Sequence, residues 1–213
     1  PYRALLLVGW VAAAVSFRVR GTSVHEAKRR ILSVLGPDTP PERVHHIAWT
    51  SWRNIIFNAL EILRLPRTSP EWIHKHFAFG NMAELMREEK EAGRSGIVAL
   101  PHMGNWEMAA LASHVHGFPI VTIAGKQRNP LTNTVLNDLR ASTGPLVVER
   151  GTSAMRTILR QLKAGRFMAI LPDVRMPTED LAIPLFGSTS NLGSGMAIFA
   201  RMSGCSIYPC CVV

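Results

Sequence analysis

From residue 97 onward, short apolar runs alternate with helix-like segments, and this alternation constrains the fold more than any other feature of the chain. The runs at 97–100, 119–124, 146–149 and 167–171 are too short for helices and rich in Ile, Val, Leu and Phe, as expected of strands buried on both faces. Helix signals separate them. A helix over about 105–116 follows the first run, Asn129 caps the next with Pro130 at its first position, and a helix over 152–164 closes at Gly165. A short strand at 181–186, the turn "NLGSG", a helix and a terminal strand complete the pattern. This rhythm predicts an α/β fold with a mostly parallel or mixed sheet flanked by helices, whose sites form at the carboxyl ends of the strands.

Residues 1 to about 90 read differently, as helices without strands. In "PPERVHHIAWTSWRNIIFNALEIL", Val44, Ile47, Ala48, Ile55, Ala59 and Ile62 recur at the spacing of a half-buried helix, and Leu65-Pro66 ends it. The polar helix in "NMAELMREEKEAG" stops at Gly93. The apolar run "ALLLVGWVAAAV" has 12 residues, short of the roughly 20 that span a bilayer, and is expected to lie in a membrane interface. The organisation expected is a helical, membrane-associating region over 1–90 and an α/β core over 91–213, integrated as one domain. The chain starts without Met and ends on "CSIYPCCVV", which reads as strand interior, so further C-terminal residues are expected.

The net charge of +9 calls for an acidic partner: an anionic membrane, a phosphorylated substrate or carrier, or nucleic acid. Nucleic acid is the rival class, but the 24 Lys and Arg are scattered in small groups and no RNA-binding signature accompanies them. Cys205, Cys210 and Cys211 form no C-x-x-C pair and have no nearby His, so reduced cysteines and no metal are expected.

The chemistry concentrates in "PHMGNWE", residues 101–107, at the junction of the first strand and its helix. If the helix began at His102, Glu107 would sit about 140° around the axis from the imidazole. A break at Gly104 with Asn105 as N-cap brings Glu107 into the first helical turn, where it is expected to hold the ring. A histidine held by a carboxylate is a general base for a hydroxyl. Without a G-x-S-x-G elbow, the hydroxyl expected is the substrate's own. The structural alternative is a histidine bonded to backbone and a glutamate acting only as a helix-terminal charge. Asp173 ends another strand and reaches the same edge.

These residues carry a resemblance. "GIVALPHMGNWE" resembles the H-x4-D/E signature of the lipid A biosynthesis lauroyl/myristoyl acyltransferases. "RNPLTNTVLNDLR", "LKAGRFMAILPD", "IPLFGSTSNLGSGMAIFARMSGCSIYP" and, upstream, "SWRNIIFNALEIL" are similar to further segments of that family. The resemblance implies a glycerolipid acyltransferase-like fold and transfer of an acyl chain from acyl carrier protein or coenzyme A to a phosphorylated glycolipid hydroxyl. The implied place is the cytoplasmic face of the inner membrane, with no bound cofactor. His102 and Glu107 are then the catalytic pair, and Arg140, Asp173, Arg150 and Asn105 are further required or substrate-binding positions. Other acceptors in keeping with this chemistry are a lysophospholipid, a phosphatidylinositol mannoside and an aminolipid. Oxyanion donors are expected near Gly104 or in the turn at 193–195, and Arg18, Arg20, Lys28, Arg29 and Arg30 are candidates for anionic headgroups.

Overall fold

The computed structural model describes residues 1–127, 129–176 and 179–213. Arg128, the first residue of the "RNPL" motif, lies outside them. The chain divides into two compact units: Pro1–Leu63 with Pro184–Thr189, and Arg64–Ile183 with Ser190–Val213. The helices that follow Leu63 belong to the second unit.

The first unit contains α1 (Tyr2–Val19), α2 (Gly21–Leu35) and α3 (Pro41–Ile62). Aromatic edges hold α1 on α3: Trp10 meets Trp49 at 6.0 Å, and Phe17 meets Trp49 at 5.4 Å. Gly9 permits the approach, since a Cβ there would stand 2.7 Å from Leu60. Helix α1 runs to 18 residues, beyond the 12-residue apolar run, because it continues through Ser16, whose hydroxyl accepts from the Trp52 indole at 3.0 Å. It is therefore long and apolar enough to cross a membrane by length and composition. Leu7, Val8, Val11, Val15 and Val19 stay exposed on it.

The second unit opens with α4 (Pro70–His76) and α5 (Met82–Glu91). Strand and helix then alternate: β1 (Gly96–Ala99), α6 (Trp106–Val115), β2 (Ile120–Ala124), α7 (Pro130–Ala141), β3 (Leu146–Glu149), α8 (Ala154–Lys163) and β4 (Phe167–Ile170). After β5 (Leu181–Leu185) and β6 (Ser188–Leu192) come α9 (Gly195–Ser203) and β7 (Ser206–Pro209). The five-stranded sheet has the order β3-β2-β4-β1-β7, and each neighbouring pair is parallel. Successive strand residues serve opposite faces: Val98 and Phe167 pack with Met86 and Trp106, whereas Ile97 and Met168 pack with Ile158, Leu162 and Phe199. Burial on both faces is why these strands read as unbroken apolar runs. Each fully buried large side chain contributes about 1.5–3 kcal/mol.

β6 has no counterpart in the sequence reading. Four of its five residues, "STSNL", are polar, and only the preceding Phe186-Gly187 turn marks a hairpin: both residues have positive φ, 49° and 72°, as in a two-residue type I′ turn. β5 and β6 form a separate two-stranded sheet.

Candidate active site

The site is set by strand register. β1 and β4 are neighbours, and their last paired residues are Ala99 and Ile170. His102 and Asp173 lie three residues past these ends, so the 71-residue offset of the ladder continues into the loops. Leu100 extends the pairing by donating to the Ile170 carbonyl at 3.1 Å. Trp106, in the helix leaving β1, and Phe199, in α9, which the chain enters from β4 by way of the β5–β6 hairpin, pack on opposite faces of the sheet. Loops that diverge in this way leave a crevice at the carboxyl edge.

Asp173 grips His102 at two points. The His102 amide donates to Oδ2 at 2.8 Å, and Nδ1 stands 2.7 Å from Oδ1. Burial alone would raise the Asp173 carboxyl, but the bonds from the His102 amide and ring outweigh it and hold its pKa below the ordinary 3.8. The group is an acceptor-only carboxylate at neutral pH, so the Nδ1 proton of the neutral ring points to it. Nε2 is left as the basic nitrogen, with no protein partner among the described residues. The Trp106 ring meets the imidazole edge to face at 4.9 Å. Both site side chains are 39% exposed, open enough to meet a substrate.

The turn that carries His102 depends on Gly104. Its φ is +64°, and a Cβ there would lie 2.4 Å from the Val212 carbonyl oxygen. Gly104→Ala is therefore expected to cost about 1–3 kcal/mol in urea unfolding and to lower activity as the turn shifts; unchanged stability would contradict the assignment. Asn105 caps α6, its Oδ1 accepting from the Met108 amide at 3.0 Å.

Glu107 differs from the expectation that it holds the ring. It does enter the first turn of α6, but there its carboxylate is engaged by Arg140 from the last turn of α7. The Arg140 Nε lies 3.0 Å from each carboxylate oxygen, and Nη2 makes a further bond to Oε1. The two side chains are 17% and 10% exposed, so this is a nearly buried, bidentate pair. Arg140 thus has a carboxylate partner, Glu107. Arg150 is not brought to His102. It is exposed just past β3, two strands from β4, with its amide bonded to the Ala124 carbonyl at 2.9 Å.

The loop after Asp173 is tied down by β6. Arg175 bridges Leu192, and the Met176 amide donates to the Asn191 carbonyl at 2.8 Å. In the turn at 193–195, the Ser194 amide is taken by the Asp180 carboxylate at 2.8 Å, so it is not free for an oxyanion. A cavity of about 490 Å³ beside α7 is lined by Lys126, Asn133, Asn137 and Arg166 among others, and includes none of His102, Glu107, Arg140 or Asp173. Among the described residues, no group of three or more His, Cys, Asp or Glu is disposed to hold a metal, and the cysteines are free.

An open parallel α/β sheet with a carboxylate-oriented imidazole at its carboxyl edge is equipped to take a proton from a hydroxyl. Residues 1–213 match the bacterial lipid A biosynthesis acyltransferase family, and the chain belongs to it. It is similar to a phosphatidylinositol mannoside acyltransferase of Mycolicibacterium smegmatis, with 24% identity over 124 residues, 56% of this chain and 40% of that protein. The matched stretch thus spans well under half of that relative.

Proposed function

We propose that the protein transfers a fatty acyl chain from an acyl thioester, carried by acyl carrier protein or coenzyme A, to a hydroxyl of a lipid A precursor or related glycolipid. The observation that carries this reading is the clamp of Asp173 on the His102 ring in a chain of this family. Nε2 takes the acceptor's hydroxyl proton as its oxygen attacks the thioester carbon. Asp173 stabilises the imidazolium that forms. The tetrahedral intermediate then expels the thiolate, which takes the proton back from the ring, leaving an ester and a free thiol. No acyl-enzyme is needed. Glu107 and Arg140 act one step away, joining the first turn of α6 to the last turn of α7 beside the His102 turn.

The exposed apolar side of α1 supports placing the protein at a membrane, and the reading puts it on the cytoplasmic face of the inner membrane. Arg29 and Arg30 are engaged by Glu26, so Arg18, Arg20 and Lys28 are the better candidates for headgroups. A second acceptor, a phosphatidylinositol mannoside, is favoured by the similarity to the mycobacterial protein.

The test gives the full-length protein labelled acyl thioesters of both carriers with lipid acceptors of both classes. The wild type is expected to form one new acylated lipid, identified by mass spectrometry, and His102→Ala to slow its formation about 10²–10⁴-fold. Equal rates would remove His102 as the base; release of free fatty acid without a lipid product would make the protein a thioesterase.

A further inference from the structure

The four loops that leave β1, β2, β3 and β4 share a feature that the catalytic pair does not require. Each reaches an exposed large apolar side chain at or just before its following helix or hairpin: Met103 after β1, Leu131 after β2, Met155 after β3 and Val174 after β4, exposed by 43, 78, 39 and 55%. Parallel strands put all four at one edge of the sheet. Cations lie between them, with Lys126, Arg150, Arg156 and Arg175 exposed in the same loops and first helical turns. Neither α7 nor α8 has an acidic residue in its first turn, and both point a positive dipole end to this edge. Three exposed carboxylates share this edge, Glu149 at the end of the edge strand β3 and Glu179 and Asp180 in the loop after β4; Asp180 is taken by the Ser194 amide, as Asp173 is by His102.

We propose that the carboxyl edge of the sheet is a lipid-facing surface that rests on an anionic bilayer, with His102 and Asp173 among the loops that touch it. This deepens the function proposed above by naming the face through which lipid reaches the site, and it rests on that reading only for what the lipid is used for. Exposed apolar side chains set singly between cations suit a fluid surface, in which tails receive the former and anionic headgroups the latter at any spacing. A folded carrier protein would ask for a groove or a continuous apolar stripe. These side chains are instead spread across four strands, about 14 Å at the usual strand spacing.

The methionines supply the test within the unaltered protein. Met103 and Met155 are at the proposed face, whereas Met202, 53% exposed, lies near the end of α9 at the opposite edge of the sheet. The full-length protein is exposed to peroxide with vesicles of phosphatidylcholine containing phosphatidylglycerol, and sulfoxides are counted by mass spectrometry. Oxidation of Met103 and Met155 is expected to slow by about fivefold or more, with Met202 unchanged. Vesicles of phosphatidylcholine alone should protect less, and Leu131→Glu with Val174→Glu should abolish the protection. The proposal is overturned if the vesicles leave Met103 and Met155 unprotected, if Met202 is protected equally, or if the double variant changes nothing. Protection by soluble acyl carrier protein but not by vesicles overturns it in favour of a carrier-docking face. No turnover is measured, so a failure here is distinct from a failure of the proposed reaction.

Discussion

Asp173→Asn is expected to lower acyl transfer about 10³–10⁴-fold while leaving the thermal midpoint within a few degrees of wild type. The asparagine keeps the shape of the clamp, and its oxygen can still accept one bond. What it loses is the charge that stabilises the imidazolium, and with its amide turned to Nδ1 it moves the ring proton to Nε2, where it blocks the base. Exposure of the pair limits the cost to folding. The pH dependence has a definite sign. Because the folded carboxyl titrates below its ordinary 3.8, its contribution is fully present above that value and is lost as pH falls through the lower folded one. The stability difference between wild type and Asp173→Asn should therefore be present above about pH 4 and shrink below it. A difference that instead faded between pH 8 and 6 would mean that the carboxylate is not the group at work.

Glu107 should behave in the opposite way. Replacing it with leucine leaves the Arg140 guanidinium nearly buried without its partner, and breaking a buried pair in this manner costs about 3–5 kcal/mol. Adding Arg140→Met removes the orphaned charge, and the double variant is expected to recover most of the loss in urea unfolding. A coupling of this kind is what a double-mutant cycle isolates. Had Glu107 been the orienter of His102, its loss would strike turnover at nearly constant stability, and Arg140→Met would rescue nothing. The cycle therefore decides between a brace and a ring partner.

These two predictions mark where the sequence was legible. Apolar runs buried on both faces announced the parallel sheet, and strand ends placed His102 and Asp173 at its carboxyl edge, because both signals are local. Gly104 and Asn105 were readable as the break and the cap for the same reason. The pairings were not. That β4 inserts beside β1, so that Asp173 meets His102, is a matter of strand order, which no local pattern encodes. Once Asp173 occupies Nδ1, Glu107 has Arg140 as the partner that arrives from α7, 33 residues along the chain. β6 was missed because polar residues carried it and only the Phe186-Gly187 turn announced it.

In the proposed reaction His102, held by Asp173, activates a lipid's own hydroxyl for direct acylation. Its most direct test is a single turnover of the full-length protein with radiolabelled acyl thioester and lipid acceptor, quenched at short times, in wild type and His102→Ala. Label is expected to pass from the thioester to the lipid ester with none trapped on the protein, and the alanine variant is expected to slow this step. Label that first accumulates on the protein and then moves to the lipid, or a single turnover unaffected by the loss of His102, would contradict it.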